Sequence, residues 1–131
     1  MKFCYNDKIF IEEGVVVERN EVLDYIRKVD QARTAEDACR IAVEAIADFT
    51  RFSNPSFFLA DPGGKTLNLV AFKGFTPGTL SIPRGKGISW KSLETGETAL
   101  IDDVSKIDGY LPGLEGSCCE INVPVVWHER K

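Results

Sequence analysis

Histidine and methionine are nearly missing from this chain, with one of each in 131 residues. His128, in "WHERK", has no second histidine and no spaced cysteine pair with which to build a zinc motif. It falls at a turn-like position, which suits an exposed polar residue better than an axial haem ligand. The four cysteines, Cys4, Cys39, Cys118 and Cys119, include no C-x-x-C pair, so zinc-ribbon and thioredoxin-type motifs are absent. No apolar run approaches the ~18 residues of a membrane span, and "MKFCYNDKIF" lacks the apolar core of a secretory signal. Basic charge is short too: 16 Lys and Arg stand against 20 Asp and Glu, a net −4. A nucleic-acid partner needs a concentrated basic surface, so none is expected, although a small basic pocket stays open. These absences together describe a cytoplasmic chain with reduced thiols. No motif names a cofactor, and no set of metal ligands is expected.

The composition is that of an ordinary globular chain, 44% hydrophobic and 27% charged, and the length suits one domain. Residues 1–18 form a β-prone segment, in which Phe3–Tyr5 and Ile9–Ile11 flank a turn-like Asn6-Asp7-Lys8 and Gly14 is a break. Residues 19–131 hold the main domain. The spacing predicts a helix over 20–32, with Asn20 as N-cap and Val22, Ile26 and Val29 on one stripe. "TAED" predicts a second helix: Thr34 caps it, Asp37 reaches back, and Ala38, Ile41, Ala42, Ala45, Ile46 and Phe49 follow helical spacing up to Pro55. Cys39 falls within that pattern as a small hydrophobe. Residues 56–61 and 65–73 are β-rich around "DPGGK", the firmest hairpin in the chain. A short strand over Leu80–Pro83, a short helix over Ile88–Glu94 closed by Gly96, a strand in "TALIDDV", a loop over 105–117 and a last strand in "CCEINVPVVW" complete the order. The plan is α+β: an antiparallel β-sheet with helices packed mainly on one face.

In that order the residues resemble a GAF domain, a PAS-related architecture. "GKGISWKSLETGETALIDDV" is similar to the family's glycine turn, short helix, "TG" and strand ending in Asp-Val. "INVPVV" resembles its late strand, and the helix before "PSFFLADPGGKTLNLVAFKGF" resembles its opening helix and first hairpin. The resemblance covers about residues 34–127. It implies a sensory or regulatory module of bacterial- or archaeal-type signalling, with a small-molecule pocket between one sheet face and the segments after the third strand. It also implies a homodimer through flanking helices and a fused or partner output domain. The family continues past "VVWHERK" with a strand that pairs beside the first strand. Two expectations follow: residues 2–12 supply that strand, from the same chain or swapped from a partner, or the sequence is a truncated one.

Several residues carry candidate chemistry. Cys118 and Cys119 suggest a redox dyad, as in the free methionine-(R)-sulfoxide reductases that share the family's fold. However, residues 85–115 hold no cysteine, and Glu120 opposes the cationic setting a reactive thiolate wants. On a strand the two thiols would face opposite sides as small packing residues. Asp102 and Asp103 would also point oppositely on a strand, so they do not make an acid–base pair; one orients a ligand, or caps residues 105–108. Arg84-Gly85-Lys86-Gly87 lacks P-loop spacing, although the helix opening at Ile88–Trp90 could still hold an anion. Phe58, Phe72, Trp90, Tyr110 and Leu111 are pocket walls or core. The candidate pocket is therefore Phe58, Phe72, Ser81, Ser89, Trp90, Asp102, Asp103, Tyr110, Cys118 and Glu120. The expectation is a non-enzymatic, small-molecule-binding or dimerising domain. The alternatives are a thiol reductase and a ligand-free structural dimer.

Overall fold

Residue order and hydrogen-bond satisfaction account for most of what a computed structural model of the chain contains. It describes residues 4–5, 8–11, 15–17, 19–50, 54–74, 77–113 and 116–125. His128 and Gly14, and the expectations placed on them, lie outside the described residues. The chain divides into two compact units, Met1–Phe58 with Leu69–Phe75, and Leu59–Asn68 with Thr76–Lys131.

In the first unit, β1 (Cys4–Tyr5), β2 (Lys8–Ile11) and β3 (Val15–Val17) form an antiparallel meander, with Cys4 opposite Ile9 and Ile11 opposite Val15. The expected pairing of the two β-prone runs is therefore present. The expected in-chain strand completion does not occur among the described residues: β1 pairs with β2, and β2 with β3, in a sheet separate from the strand at 56–60.

Helix α1 spans Arg19–Asp30, so Asn20 lies inside it rather than at its cap. Acidic Glu21 opens the helix and Arg27 and Lys28 close it, as the helix dipole favours. Helix α2 spans Ala35–Phe49, and the Thr34 hydroxyl accepts the Asp37 N–H at 3.1 Å. Asp37 does not complete a capping box; its carboxylate accepts from Arg40 one turn on, at 2.9 Å. The α1–α2 pair packs through the edge of Tyr25 on Phe49, ring centroids 5.1 Å apart, and through the Tyr25 hydroxyl on Asp48 at 2.7 Å. The innermost side chains of α2 are Cys39 and Val43, the latter only 2% exposed. Burial raises the Cys39 thiol pKa, as expected for a packing cysteine. Lys73 anchors the end of its strand to α2 through Glu44 and, at 3.9 Å, Asp48.

Strands β4 (Ser56–Ala60) and β5 (Thr66–Phe72) flank the expected turn, and β6 (Ser81–Pro83) adds to β5 with Leu67 opposite Ile82. Asp61 organises the turn, accepting the N–H groups of Lys65 and Thr66 at 2.6 and 2.7 Å. Gly64 sits at φ 61°, a left-handed position that costs glycine least. The inward positions Leu67, Ala71 and Ile82 are buried.

In the second unit, α3 (Gly87–Thr95) ends at Gly96, whose φ of 72° and N–H bond to Ser92 make the expected glycine cap. Strand β7 (Ala99–Ile101) pairs antiparallel with β8 (Glu120–Asn122). Among the described residues between them lies one 3-10 turn, Val104–Lys106. The predicted strands are shortened at both ends here. Val104 belongs to the turn rather than to "TALIDDV", because Asp103 caps it. Among the described residues, the last strand is three residues long and is followed by Pro124, which has no N–H for a ladder. The α+β plan with antiparallel pairing holds, and among the described residues the strands fall into three sheets.

Candidate functional site

The second unit gathers a polar chain from three elements that are far apart in sequence. Helix α3 presents Ser89, β8 presents Glu120 and Asn122, and the loop after the 3-10 turn presents Tyr110. The Ser89 hydroxyl donates to Asn122 Oδ1 at 2.8 Å, and the Asn122 amide donates to Glu120 Oε1 at 2.5 Å. The Tyr110 hydroxyl donates to Glu120 Oε2 at 2.5 Å. Glu120 and Asn122 are two apart on one strand, which puts them on the same face. The Ser92 hydroxyl, one turn beyond Ser89, donates to the Glu97 carbonyl and lies 3.3 Å from the Asn122 carbonyl.

All four side chains are half-buried. The electrostatics are one-sided. Among the described residues Glu120 pairs with neutral donors only. Burial pushes the Tyr110 pKa above its ordinary value, and the hydrogen bond to Glu120, that carboxylate's charge and nearby Cys119 add to the rise. Tyr110 therefore stays a donor, and Glu120 keeps lone pairs and an uncompensated charge. Such a carboxylate welcomes a cationic or donor group.

Beside α3 lies an open cleft of about 560 Å³, lined by Gly85, Lys86, Gly87, Lys91, Ser92, Ile107 and Asp108 among others. None of the ten side chains named for the pocket lines this cleft, but the glycine loop and residues 107–109, within the expected binding region of Ser81 to Trp90 and Asp102 to Leu111, do.

Trp90 is core. It is 4% exposed, its indole N–H donates to the Ile82 carbonyl at 2.8 Å, and Arg84 covers its ring at 5.4 Å. Ser81 is exposed at the edge of β6 and donates to Asn68 at 3.1 Å. Asp102 is exposed. Asp103 is the cap: it accepts the Ser105 hydroxyl at 2.6 Å, pairs with Lys106 at 3.2 Å and accepts the Ser105 N–H at 3.0 Å, and these contacts, the hydroxyl first, hold its carboxyl below the usual carboxylate range. Phe58 is half-buried and Phe72 is 47% exposed; both belong to the first unit.

The placement of the cysteines is corrected. Cys118 and Cys119 precede β8, and both are exposed rather than packed on opposite strand faces. The Cys118 carbonyl is held by the Val104 N–H at 2.9 Å, and the ladder starts only where Glu120 meets Ile101. The sequence places Asn122 at the end of the expected binding region, Cys118 to Asn122, but not as the link between Ser89 and Glu120. Its signal was the alternation Glu120-x-Asn122 before a proline, a pair of polar residues on one strand face.

No family profile and no curated protein matches the chain. Solved structures do. A free methionine-R-sulfoxide reductase from Neisseria meningitidis, in complex with its substrate, aligns with TM-score 0.71 and 20% identity over 81% of this chain and 63% of its own. A structure described as a GAF domain aligns with TM-score 0.65 and 22% identity, over 80% of this chain and 62% of its own. The GAF domain of an Acinetobacter phosphoenolpyruvate-protein phosphotransferase aligns with TM-score 0.67 and 26% identity, over 82% of this chain and 70% of its own. The fold is GAF-like. This GAF-like chain spans less than two thirds of the length of the first two of these proteins. The fold is thus shared with a reductase and with the GAF domain of a phosphotransferase alike. Among the described residues, no helix is long and apolar enough to cross a membrane.

Proposed function

We propose that this chain is a sensory or regulatory domain that binds a small molecule and catalyses no reaction. The observation that supports it is Glu120: a half-buried carboxylate, held at both oxygens by neutral donors, with no cationic partner among the described residues. A pre-set acceptor of this kind suits a small ligand with a protonated amine. Tyr110 brings the 107–111 loop into the same network, so a ligand that engages Glu120 has a route to ordering the loop. Regulation would follow by population shift, through a higher affinity for the loop conformation in which Tyr110 bonds Glu120. A cytoplasmic location and a fused or partner output domain belong to the same proposal. Dimerisation does too; Leu100, Val123 and Val125 expose apolar surface around β7 and β8.

The test is thermal unfolding of the full chain against a panel of small amines. A binder raises the apparent stability of the wild type by mass action and has little effect on Glu120→Gln. No shift with any amine, or an equal shift in both proteins, overturns the reading. A concentration-dependent dimer without any shift would favour the ligand-free module.

A second reading is a thiol reductase, supported by the exposure of Cys118 and Cys119. Reduction of free methionine-(R)-sulfoxide by the wild type with an added thiol reductant, lost in Cys118→Ser or Cys119→Ser, would establish it over the first.

A further inference from the structure

The cysteine pair offers chemistry that needs neither a ligand pocket nor a catalytic cycle. Cys118 and Cys119 are adjacent, free and both exposed. They lie between the turn at Gly116, with φ 83°, and the first ladder residue, Glu120. Neither belongs to a described strand, so the pleat does not force their side chains to opposite faces. The Val104 N–H grips the Cys118 carbonyl at 2.9 Å and holds the backbone beside the 3-10 turn, which leaves both thiols on the outside.

Direct bridging of the two sulfurs is unfavourable. Successive Cα atoms are about 3.8 Å apart, whereas a relaxed disulfide wants about 5.5 Å. The pair is therefore poised as a dithiol. A bridging atom between the sulfurs widens the ring and removes that strain. Zinc is a poor choice, because it wants four ligands, and among the described residues no group of three or more His, Cys, Asp or Glu is arranged for a metal. A centre satisfied by two thiolates and one solvent-facing group fits better.

We propose that Cys118 and Cys119 form a chelating capture site for trivalent arsenic or antimony species. With arsenite, As(OH)3, two As–O bonds break and two As–S bonds form. Each thiol proton leaves with a hydroxide, giving two waters and one As–OH that faces solvent. No electron is transferred, so no oxidant or reductant is needed. The captured centre would sit next to Glu120 and within the electrostatic reach of Tyr110, whose pKa already responds to Cys119.

The test titrates arsenite and, separately, phenylarsine oxide into the reduced full chain, with intact mass and free-thiol counts as readouts. The expected result is one arsenic per chain with loss of two reactive thiols. Cys118→Ser and Cys119→Ser should each weaken capture by about 100-fold or more, the loss of an intramolecular second bond. Cys4→Ser and Cys39→Ser should leave it unchanged, and circular dichroism of each variant establishes that it is folded. Tight capture that survives either Cys118→Ser or Cys119→Ser, a loss in Cys4→Ser equal to theirs, or no capture by the wild type, overturns the proposal.

Discussion

The Tyr110 hydroxyl donates to Glu120 Oε2 at 2.5 Å and joins the loop after the 3-10 turn to the first residue of β8. Burial and this bond together hold the proton on the tyrosine. Burial first, then the carboxylate, raises its pKa above 10.0. The folded state thus holds this proton more tightly than the unfolded state does. The resulting stabilisation is whole below pH 10 and is lost as the pH rises from there through the higher folded pKa. Tyr110→Phe should cost about 1 kcal/mol at neutral pH, as measured by urea unfolding. The gap between wild type and variant should stay constant up to about pH 9 and shrink above about pH 10. A gap with no pH dependence would contradict the bond. The comparison with the variant also separates Tyr110 from Tyr25, whose pKa is raised as well, chiefly by its bond to Asp48.

Trp90 separates core from pocket wall. Its ring is enclosed and its N–H is satisfied by the Ile82 carbonyl at 2.8 Å. Trp90→Phe keeps most of the ring but leaves that carbonyl without its donor and opens a void. It should destabilise the chain by about 2 kcal/mol. Trp90→Ala should cost about 3–5 kcal/mol. Denaturant midpoints near wild type in both variants would instead return Trp90 to the wall of a binding site.

Local rules carried the elements, and long-range pairing carried the site. The Thr34 cap, the Asp61–Lys65 turn and the Gly96 cap are each built within a few residues, so their signals survive in the sequence alone. Strand ends were less legible. "TALIDDV" and "CCEINVPVVW" have β-prone composition along their whole length, yet the ladder joins only Ala99–Ile101 to Glu120–Asn122. Where it stops depends on Asp103 finding Ser105 and on the Cys118 carbonyl finding Val104. The site had the same difficulty. Ser89, Tyr110 and Glu120 were named because each is polar or aromatic near an expected pocket. Asn122 links Ser89 to Glu120 across 33 residues, a relationship that no periodicity encodes. Trp90 had the composition of a pocket wall, and only the Ile82 carbonyl made it core.

Asp61 predicts how the β4–β5 turn responds to acid. Its carboxylate accepts two backbone N–H groups, and these bonds, Thr66 first, lower its pKa from 3.8. A lowered folded pKa means that the stabilisation is present above about pH 4 and is lost as the pH falls through the folded value. Asp61→Ala should therefore lower the unfolding midpoint at neutral pH, and the difference from wild type should close under strongly acidic conditions. Hydrogen exchange at Lys65 and Thr66 should speed up in the variant, which localises the loss to the turn. Unchanged exchange at these two amides would show that the carboxylate does not hold the turn.

The Ser89–Asn122 contact is the joint between α3 and β8, and a double-mutant cycle measures it directly. The bond is 2.8 Å and half-buried. Ser89→Ala leaves Asn122 Oδ1 without its donor but spares the amide on Glu120. Asn122→Ala removes both and frees the Glu120 Oε1 atom. The second variant should be the more damaging, and the two together should cost less than their sum, with a coupling of about 1 kcal/mol. The coupling matters for function as well as stability. If Asn122 positions the carboxylate, Asn122→Ala should weaken any ligand that depends on Glu120, whereas Ser89→Ala should weaken it less. Additive stabilities in the cycle, or equal ligand losses in the two variants, would break the chain Ser89–Asn122–Glu120 on which the candidate site rests.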